Sequence, residues 1–143
     1  MGLYEQDFYG WLTRQAELLR AGRLSEADIE HIAEELEDMG KSERKSLESD
    51  LAVLLMHLLK WQYQPGKRSV SWESSIIEHR SRVLDELEDS PSLKHMLPQV
   101  FLRAYKYGRA KASAQTGKPI RAFPESCPYT PEQALDPEFW PEI

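Results

Sequence analysis

Apolar residues recur every three or four positions along most of the chain, which is the spacing of an α-helix with one buried face. The pattern contains no convincing alternation of the kind that predicts a strand. We therefore expect five helices, covering about 4–21, 26–39, 42–63, 72–89 and 98–116. Short connections between antiparallel neighbours predict an up-and-down bundle, so the expected fold class is all-α.

Glycine, proline and capping residues set the predicted ends of these helices. Gly22 follows the first helix, and Gly40 marks the end of the second helix or a kink in it. A turn is expected at Pro65-Gly66, and Ser71 is expected to cap the fourth helix. The third helix has apolar residues at eight of the nine positions from 51 to 59, which predicts a central place in the fold.

The last 25 residues differ from the rest, because six of the nine prolines fall among them. Regular helix is expected there only as one turn after Thr130-Pro131. Phe123, Tyr129, Phe139 and Trp140 are too apolar for a free tail. The predicted organisation is thus a helical bundle over 1–118 and an extended arm over 119–143, packed on the bundle or on a second subunit.

Length and composition narrow the class of protein. The 143 residues suit one domain, and a net charge of −6 argues against a protein that coats nucleic acid through bulk charge. A single cysteine, Cys127, excludes a disulfide framework and a thiolate-rich zinc site. We find no phosphate-binding glycine loop, no signal-peptide pattern and no apolar run that spans a bilayer, so no cofactor and a cytoplasmic location are expected.

Several short patterns occur together in a fixed order along the chain. They are Trp11 with Leu18-Leu19-Arg20, Glu34-Glu35-Leu36-Glu37, His57-Leu58-Leu59-Lys60, Gln64-Pro65, Ser71-Trp72 through Ser75-Ile76-x-Glu78-x-Arg80, Pro91-Ser92-Leu93, and Phe123-Pro124-x-x-Cys127-Pro128. In that order they resemble the domain of unknown function family 29, a set of uncharacterised bacterial proteins. The resemblance extends over nearly the whole chain and implies a helical domain of about this length. It implies no activity, cofactor or catalytic residue.

Acidic and histidine side chains follow one edge of the second predicted helix. Asp28, His31 and Glu35 fall at helical spacing, and His57 lies on the third helix. Carboxylates and imidazoles from facing helices are how bundles build metal sites, so these four residues form a candidate transition-metal site. A metal-dependent hydrolase is accordingly one alternative function. The other interpretation is a solvated acidic face, with His57 hydrogen-bonded near the core.

Arg80 points to the centre of the apolar face of the fourth helix, where a guanidinium needs a carboxylate or backbone carbonyls. Glu35 is the preferred partner, with Glu73 and Asp28 as alternatives. Glu35, His57, Arg80 and Glu73 then form either a buried ionic cluster that fixes helix register or an anion pocket.

Charge is unevenly distributed, with +6 over residues 96–124 and −7 over residues 26–50. Arg103, Lys106 and Arg109 on the fifth helix make nucleic-acid binding a further alternative. The favoured interpretation is a surface for a protein partner or a homodimer, formed by these cations with Phe139 and Trp140. We therefore expect a small interaction or regulatory module without catalysis.

Overall fold

The computed structural model describes residues 2–142, and within that range the chain is helical with no strand. Its six α-helices are α1 (Leu3–Gln6), α2 (Phe8–Arg20), α3 (Ile29–Tyr63), α4 (Val70–Asp89), α5 (Leu97–Thr116) and α6 (Pro131–Leu135). Short 3-10 turns lie in the connections between most of them. The all-α prediction is confirmed, whereas the predicted number of five helices is wrong.

The predicted first helix is two helices, because Asp7 interrupts it. Asp7 has φ −150°, which is not helical, and its carboxylate accepts a hydrogen bond from the Gly10 N–H at 3.0 Å. An aspartate that accepts such a bond caps the helix that follows it. Asp7 therefore ends α1 and begins α2.

Of the two alternatives predicted for Gly40, the helix end is wrong, because the 35-residue helix α3 continues through this position. A glycine inside a helix costs only about 1 kcal/mol relative to alanine, and it forces no break. The residues around Gly40 are mostly strong helix formers such as Glu, Leu, Met and Lys. Asp28 stands directly before α3, and its carboxylate accepts a bond from the His31 N–H at 3.4 Å.

The chain divides into two compact units within α3. The N-terminal unit is Met1–Glu43, and the C-terminal unit is Arg44–Ile143. Residues 119–142 are thereby grouped with the second half of α3 and with α4 and α5. The predicted bundle over 1–118 with a separate arm stays a prediction.

The C-terminal unit has a dense apolar core. Its largest fully buried side chains are Leu47, Leu51, Leu54, Leu55, Leu58, Leu59, Ile76, Val83 and Phe123. α5 approaches α3 closely at Gly108, where an added Cβ would lie 2.8 Å from the Ala52 carbonyl oxygen. Ala104 and Ala112, one turn to either side of Gly108, are fully buried. The small residues of α5 thus let α3 approach closely.

The C-terminal segment (residues 119–142) packs on this core through Phe123, Tyr129 and Ala134, which are buried. α6 is the predicted turn after Thr130. Thr130 and Gln133 form a capping box, in which each side chain accepts a hydrogen bond from the other residue's backbone N–H.

The N-terminal unit buries very little. Among its described residues only Trp11, Gln15 and Leu18 are buried. Nine of the fifteen exposed large apolar residues in the described chain belong to it, namely Leu3, Phe8, Tyr9, Leu12, Leu19, Leu24, Ile29, Leu36 and Met39. The unit therefore has one buried aromatic residue, Trp11, beside the buried polar residue Gln15, but almost no apolar core.

Candidate functional site

Asp28 and His31, two of the predicted metal ligands, bind each other. His31 Nδ1 lies 2.6 Å from Asp28 Oδ2, and the Trp11 indole N–H donates to the same oxygen at 3.1 Å. Gln15 Oε1 accepts the Asp28 N–H at 2.7 Å. The hydrogen bond to His31 lowers the pKa of Asp28, and the same bond raises the pKa of His31. The contact is therefore an ion pair when both groups are charged.

Glu35, the third predicted ligand, accepts a hydrogen bond from Tyr4. The Tyr4 hydroxyl lies 2.5 Å from Glu35 Oε1, and this bond to the carboxylate raises the pKa of Tyr4 to about 12. The Tyr4 ring stacks on the His31 ring with 3.9 Å between centroids. Sequence reasoning missed Tyr4, although it lies one helical turn before Phe8 on the aromatic side of the N-terminal helices. Glu35 is thus engaged within the N-terminal unit.

His57, the fourth predicted ligand, belongs to the C-terminal unit. Its Nδ1 lies 3.0 Å from the Val53 carbonyl oxygen and 3.3 Å from Ser75 Oγ. Burial lowers the pKa of His57, which favours the neutral ring. Over residues 2–142 no three His, Cys, Asp or Glu side chains come together as a metal ion would require. These contacts match the interpretation of a hydrogen-bonded histidine near the core.

Arg80 is buried, but its partners are not carboxylates. Its Nε donates to the Ala134 carbonyl at 2.7 Å, and Nη2 donates to the Phe139 carbonyl at 2.5 Å. The prediction of Glu35 as the partner is therefore wrong, and Glu73 is exposed on α4. The physical reason is that carbonyls at a helix end have no partner within the helix, and Ala134 lies in the last turn of α6. Arg80 ties the C-terminal segment to α4.

A cavity of about 230 Å³ borders Arg80, and its other lining residues are Ile77, Ser81, Leu84 and Pro137. His57 is not among them, so the predicted anion pocket of Arg80 and His57 does not form there. Arg80 Nη1 is itself buried and has no hydrogen-bond partner among the described residues.

The predicted partner surface on α5 is mostly engaged within the chain. Arg103 donates to Glu48 Oε1 at 2.9 Å, and Arg109 donates to the Phe123 carbonyl at 3.0 Å. Lys106 is exposed. These contacts leave α5 with fewer free cations than its sequence indicates.

Phe139 and Trp140, the aromatic part of that predicted surface, are only half-buried and pack against the core of the C-terminal unit. The Phe139 ring meets the Tyr129 ring edge to face at 5.8 Å, and the Trp140 ring lies 4.9 Å from that of Trp61. Both aromatic rings therefore have partners in their own chain.

The N-terminal unit contains an open apolar groove between α2 and the first half of α3. Its volume is about 190 Å³, and most of its lining is Leu12, Ala16, Leu19, Ile32, Leu36 and Met39. Leu36 and Met39 are each 64% exposed. Leu36 and Met39 stay exposed although they belong to the apolar face of this half of α3, because the unit holds only α1, α2 and one half of α3 and has too few elements to cover them.

The exposed stripe on α3 has the spacing of a helix-packing seam. Ile29, Ile32, Leu36 and Met39 follow one another at intervals of three, four and three residues. This repeat of about 3.5 residues is the one that keeps an apolar seam facing a partner helix.

The two units differ in charge. Residues 1–43 carry eleven acidic and four basic side chains, whereas residues 44–143 carry thirteen acidic and fourteen basic ones. The groove therefore lies in a unit with a formal charge of −7, in a chain whose other unit is nearly neutral. On α3, Glu35 lines the groove, and Glu43 follows Met39 by one turn on the side of the helix that carries the stripe.

The fold and the site define a class of all-α protein. One unit of such a protein has a dense apolar core, and the other has an open apolar groove. The chain belongs to the family described as domain of unknown function DUF29, whose model matches residues 3–140. The resemblance found in the short motifs is thereby confirmed. No curated protein and no solved structure matches the chain. Among residues 2–142, no helix is both long enough and apolar enough to pass through a membrane.

Proposed function

We propose that the protein is a non-catalytic interaction module that binds a helical segment of another protein. The C-terminal unit is the stable scaffold, and the groove of the N-terminal unit is the docking surface. One observation carries this proposal. The groove exposes large apolar side chains in a unit that buries only Trp11, Gln15 and Leu18.

Apolar burial supplies the driving force for this binding. Burying a leucine or methionine side chain fully is worth about 1.5–3 kcal/mol relative to leaving it exposed. Leu12, Leu19, Leu36 and Met39 are all exposed on the groove. A helix laid between α2 and α3 would bury these side chains together, which is the usual way an amphipathic helix is recognised.

The polar residues of the N-terminal unit support a structural role rather than a catalytic one. Asp28 accepts bonds from Trp11 and His31, and Glu35 accepts one from Tyr4. Carboxylates that are engaged in this way hold the helices in position and have less capacity to bind a substrate.

A cytoplasmic location is part of the proposal. It is supported by Cys127, the one cysteine of the sequence, which is free rather than disulfide-bonded.

A peptide-binding experiment tests the proposal. We expect a labelled, uncharged amphipathic helix with leucines at i, i+3, i+7 and i+10 to bind the full chain saturably, measured by fluorescence anisotropy. The double variant Leu36→Ser, Met39→Ser should weaken this binding at least tenfold, because it removes two exposed apolar contacts of the groove. Circular dichroism should show an unchanged fold.

The matched control is Leu102→Ser, which removes a leucine that is 70% exposed on α5 in the C-terminal unit. It should leave binding unchanged. The proposal is overturned when no saturable binding occurs, or when the groove variant and the control bind the peptide equally.

A further inference from the structure

We infer that the occupant of the groove is a cationic amphipathic helix from a partner protein. Such a helix carries large apolar residues along one face and lysines or arginines beside them. This inference rests on the proposed function and names the chemistry of the partner.

Charge complementarity is the first argument. The unit that holds the groove has eleven acidic and four basic side chains. Two of its bases are already paired with neighbours, Arg14 with Glu17 and Arg23 with Glu26. The surrounding potential is therefore negative, and it attracts a cationic ligand and repels an anionic one.

The position of the acidic residues is the second argument. Glu35 lines the groove and is half-buried there. Glu43 lies one turn after Met39 on the same side of α3 and is exposed, at the C-terminal end of the stripe. Lysines or arginines next to the apolar face of a bound helix would stand near these carboxylates.

A second copy of this chain is a poorer occupant. Pairing two N-terminal units through their grooves brings two strongly acidic surfaces together, and like charges across a contact disfavour it. The basic helix α5 does not offer a suitable face either. Its Val100, Phe101 and Tyr105 are buried in the core, and only Leu102 and Tyr107 are large apolar residues exposed on it.

Three peptides with the same apolar row but with net charges of +4, 0 and −4 test the inference. We expect the cationic peptide to bind the full chain about tenfold more tightly than the uncharged one at 50 mM salt, and the anionic peptide most weakly. Raising the salt to 300 mM should reduce the preference to threefold or less, since exposed charges are screened over shorter distances at higher ionic strength.

Two charge-removing variants locate the effect. Glu43→Gln should reduce the cationic preference about twofold. Glu88→Gln removes one exposed charge from α4 in the C-terminal unit and should change it little. Equal effects of the two variants would overturn the assignment of Glu43.

Each outcome separates this inference from the proposed function. Equal affinity for the cationic and uncharged peptides overturns the inference and leaves the proposed function standing. Absence of binding by all three peptides overturns both. A dimer in analytical ultracentrifugation that the Leu36→Ser, Met39→Ser variant abolishes would replace the cationic helix with a second copy of the chain.

Discussion

One helix, α3, passes through two contrasting environments. From Leu47 to Lys60 nine of the fourteen residues are buried, and all six leucines of this stretch have no exposure. From Ile29 to Ser46 no residue is buried. The helical backbone is continuous across the change, so burial does not decide where this helix begins or ends.

The difference teaches that local preferences maintain the exposed half, whereas tertiary packing maintains the other. Residues 29–46 include five Glu, two Lys and one each of Arg, Leu, Met and Ala, all of which are strong helix formers. Glu37 and Lys41 are four residues apart in the favourable order for a helix. A half that is stable without burial can present apolar side chains to a partner.

Replacing one leucine in each half of α3 is the most direct test of the difference in burial between the two halves. Leu58→Ala should lower the free energy of unfolding by about 2–5 kcal/mol, because a fully buried leucine leaves a cavity. Leu36→Ala should change it by less than about 0.5 kcal/mol, because Leu36 is exposed. Urea denaturation followed by circular dichroism measures both. Equal losses for the two variants would show that the exposed half is covered in solution.

A substitution of Arg80 tests how much a buried polar contact stabilises the C-terminal unit. Arg80→Met should lower the free energy of unfolding by about 2–3 kcal/mol, because the Ala134 and Phe139 carbonyls lose their donors while buried. Amide hydrogen exchange over 123–140 should become faster, approaching that of an exposed segment. Arg82→Met is the matched control on the same helix, because the Arg82 side chain is 53% exposed and its ion pairs with Glu78 and Asp50 are worth under about 1 kcal/mol. A loss no larger for Arg80→Met than for Arg82→Met would mean that Arg80 does not hold the segment.

The sequence predicts the parts of the fold that depend on local signals. Helical periodicity gives α4 and α5 nearly as they are, and Thr130-Pro131 gives α6. These features depend on residues within a few turns of one another, so one sequence is enough to find them.

The candidate site could be predicted only in part, because burial depends on what lies opposite. The stripe from Ile29 to Met39 has the same periodicity as a core stripe, and nothing local tells that Leu36 stays exposed. Arg80 illustrates the same limit. Periodicity places its side chain inward, but it cannot show that the hydrogen-bond acceptors are the backbone carbonyls of residues 134 and 139 rather than a carboxylate. The separation of α1 from α2 at Asp7 depends on a capping hydrogen bond from the Gly10 N–H. The sequence is compatible with this bond but does not require it.

Two glycines of the two units should respond to alanine with opposite signs. Gly108→Ala should lower the free energy of unfolding by about 1–2 kcal/mol, because the new methyl group meets the Ala52 carbonyl oxygen at 2.8 Å. Gly40→Ala should raise it by up to about 1 kcal/mol, because nothing lies within 4 Å and alanine is the better helix former. Thermal unfolding of both variants beside the natural chain measures the signs. Stabilisation by Gly108→Ala would contradict the close approach of α5 to α3.

The smallest expected difference is in the pH dependence of two histidines. Burial lowers the pKa of His57, and its neighbours Lys60 and His79 act in the same direction, so the stability that its neutral ring contributes is present above about pH 6.5 and falls as the pH decreases. Asp28 raises the pKa of His31, so the stability from that contact is present below about pH 6.5 and is lost as the pH rises through the raised pKa.

Glutamine variants separate the two contributions. Relative to the natural chain, His57→Gln should become less destabilising as the pH falls from 7 to 5, and His31→Gln should become less destabilising as the pH rises from 6 to 8. The free energy of unfolding from urea titrations at each pH measures both slopes. Slopes of the same sign would mean that the two histidines share one kind of environment, and the contrast between a buried ring in the C-terminal unit and a carboxylate-paired ring in the N-terminal unit would be lost.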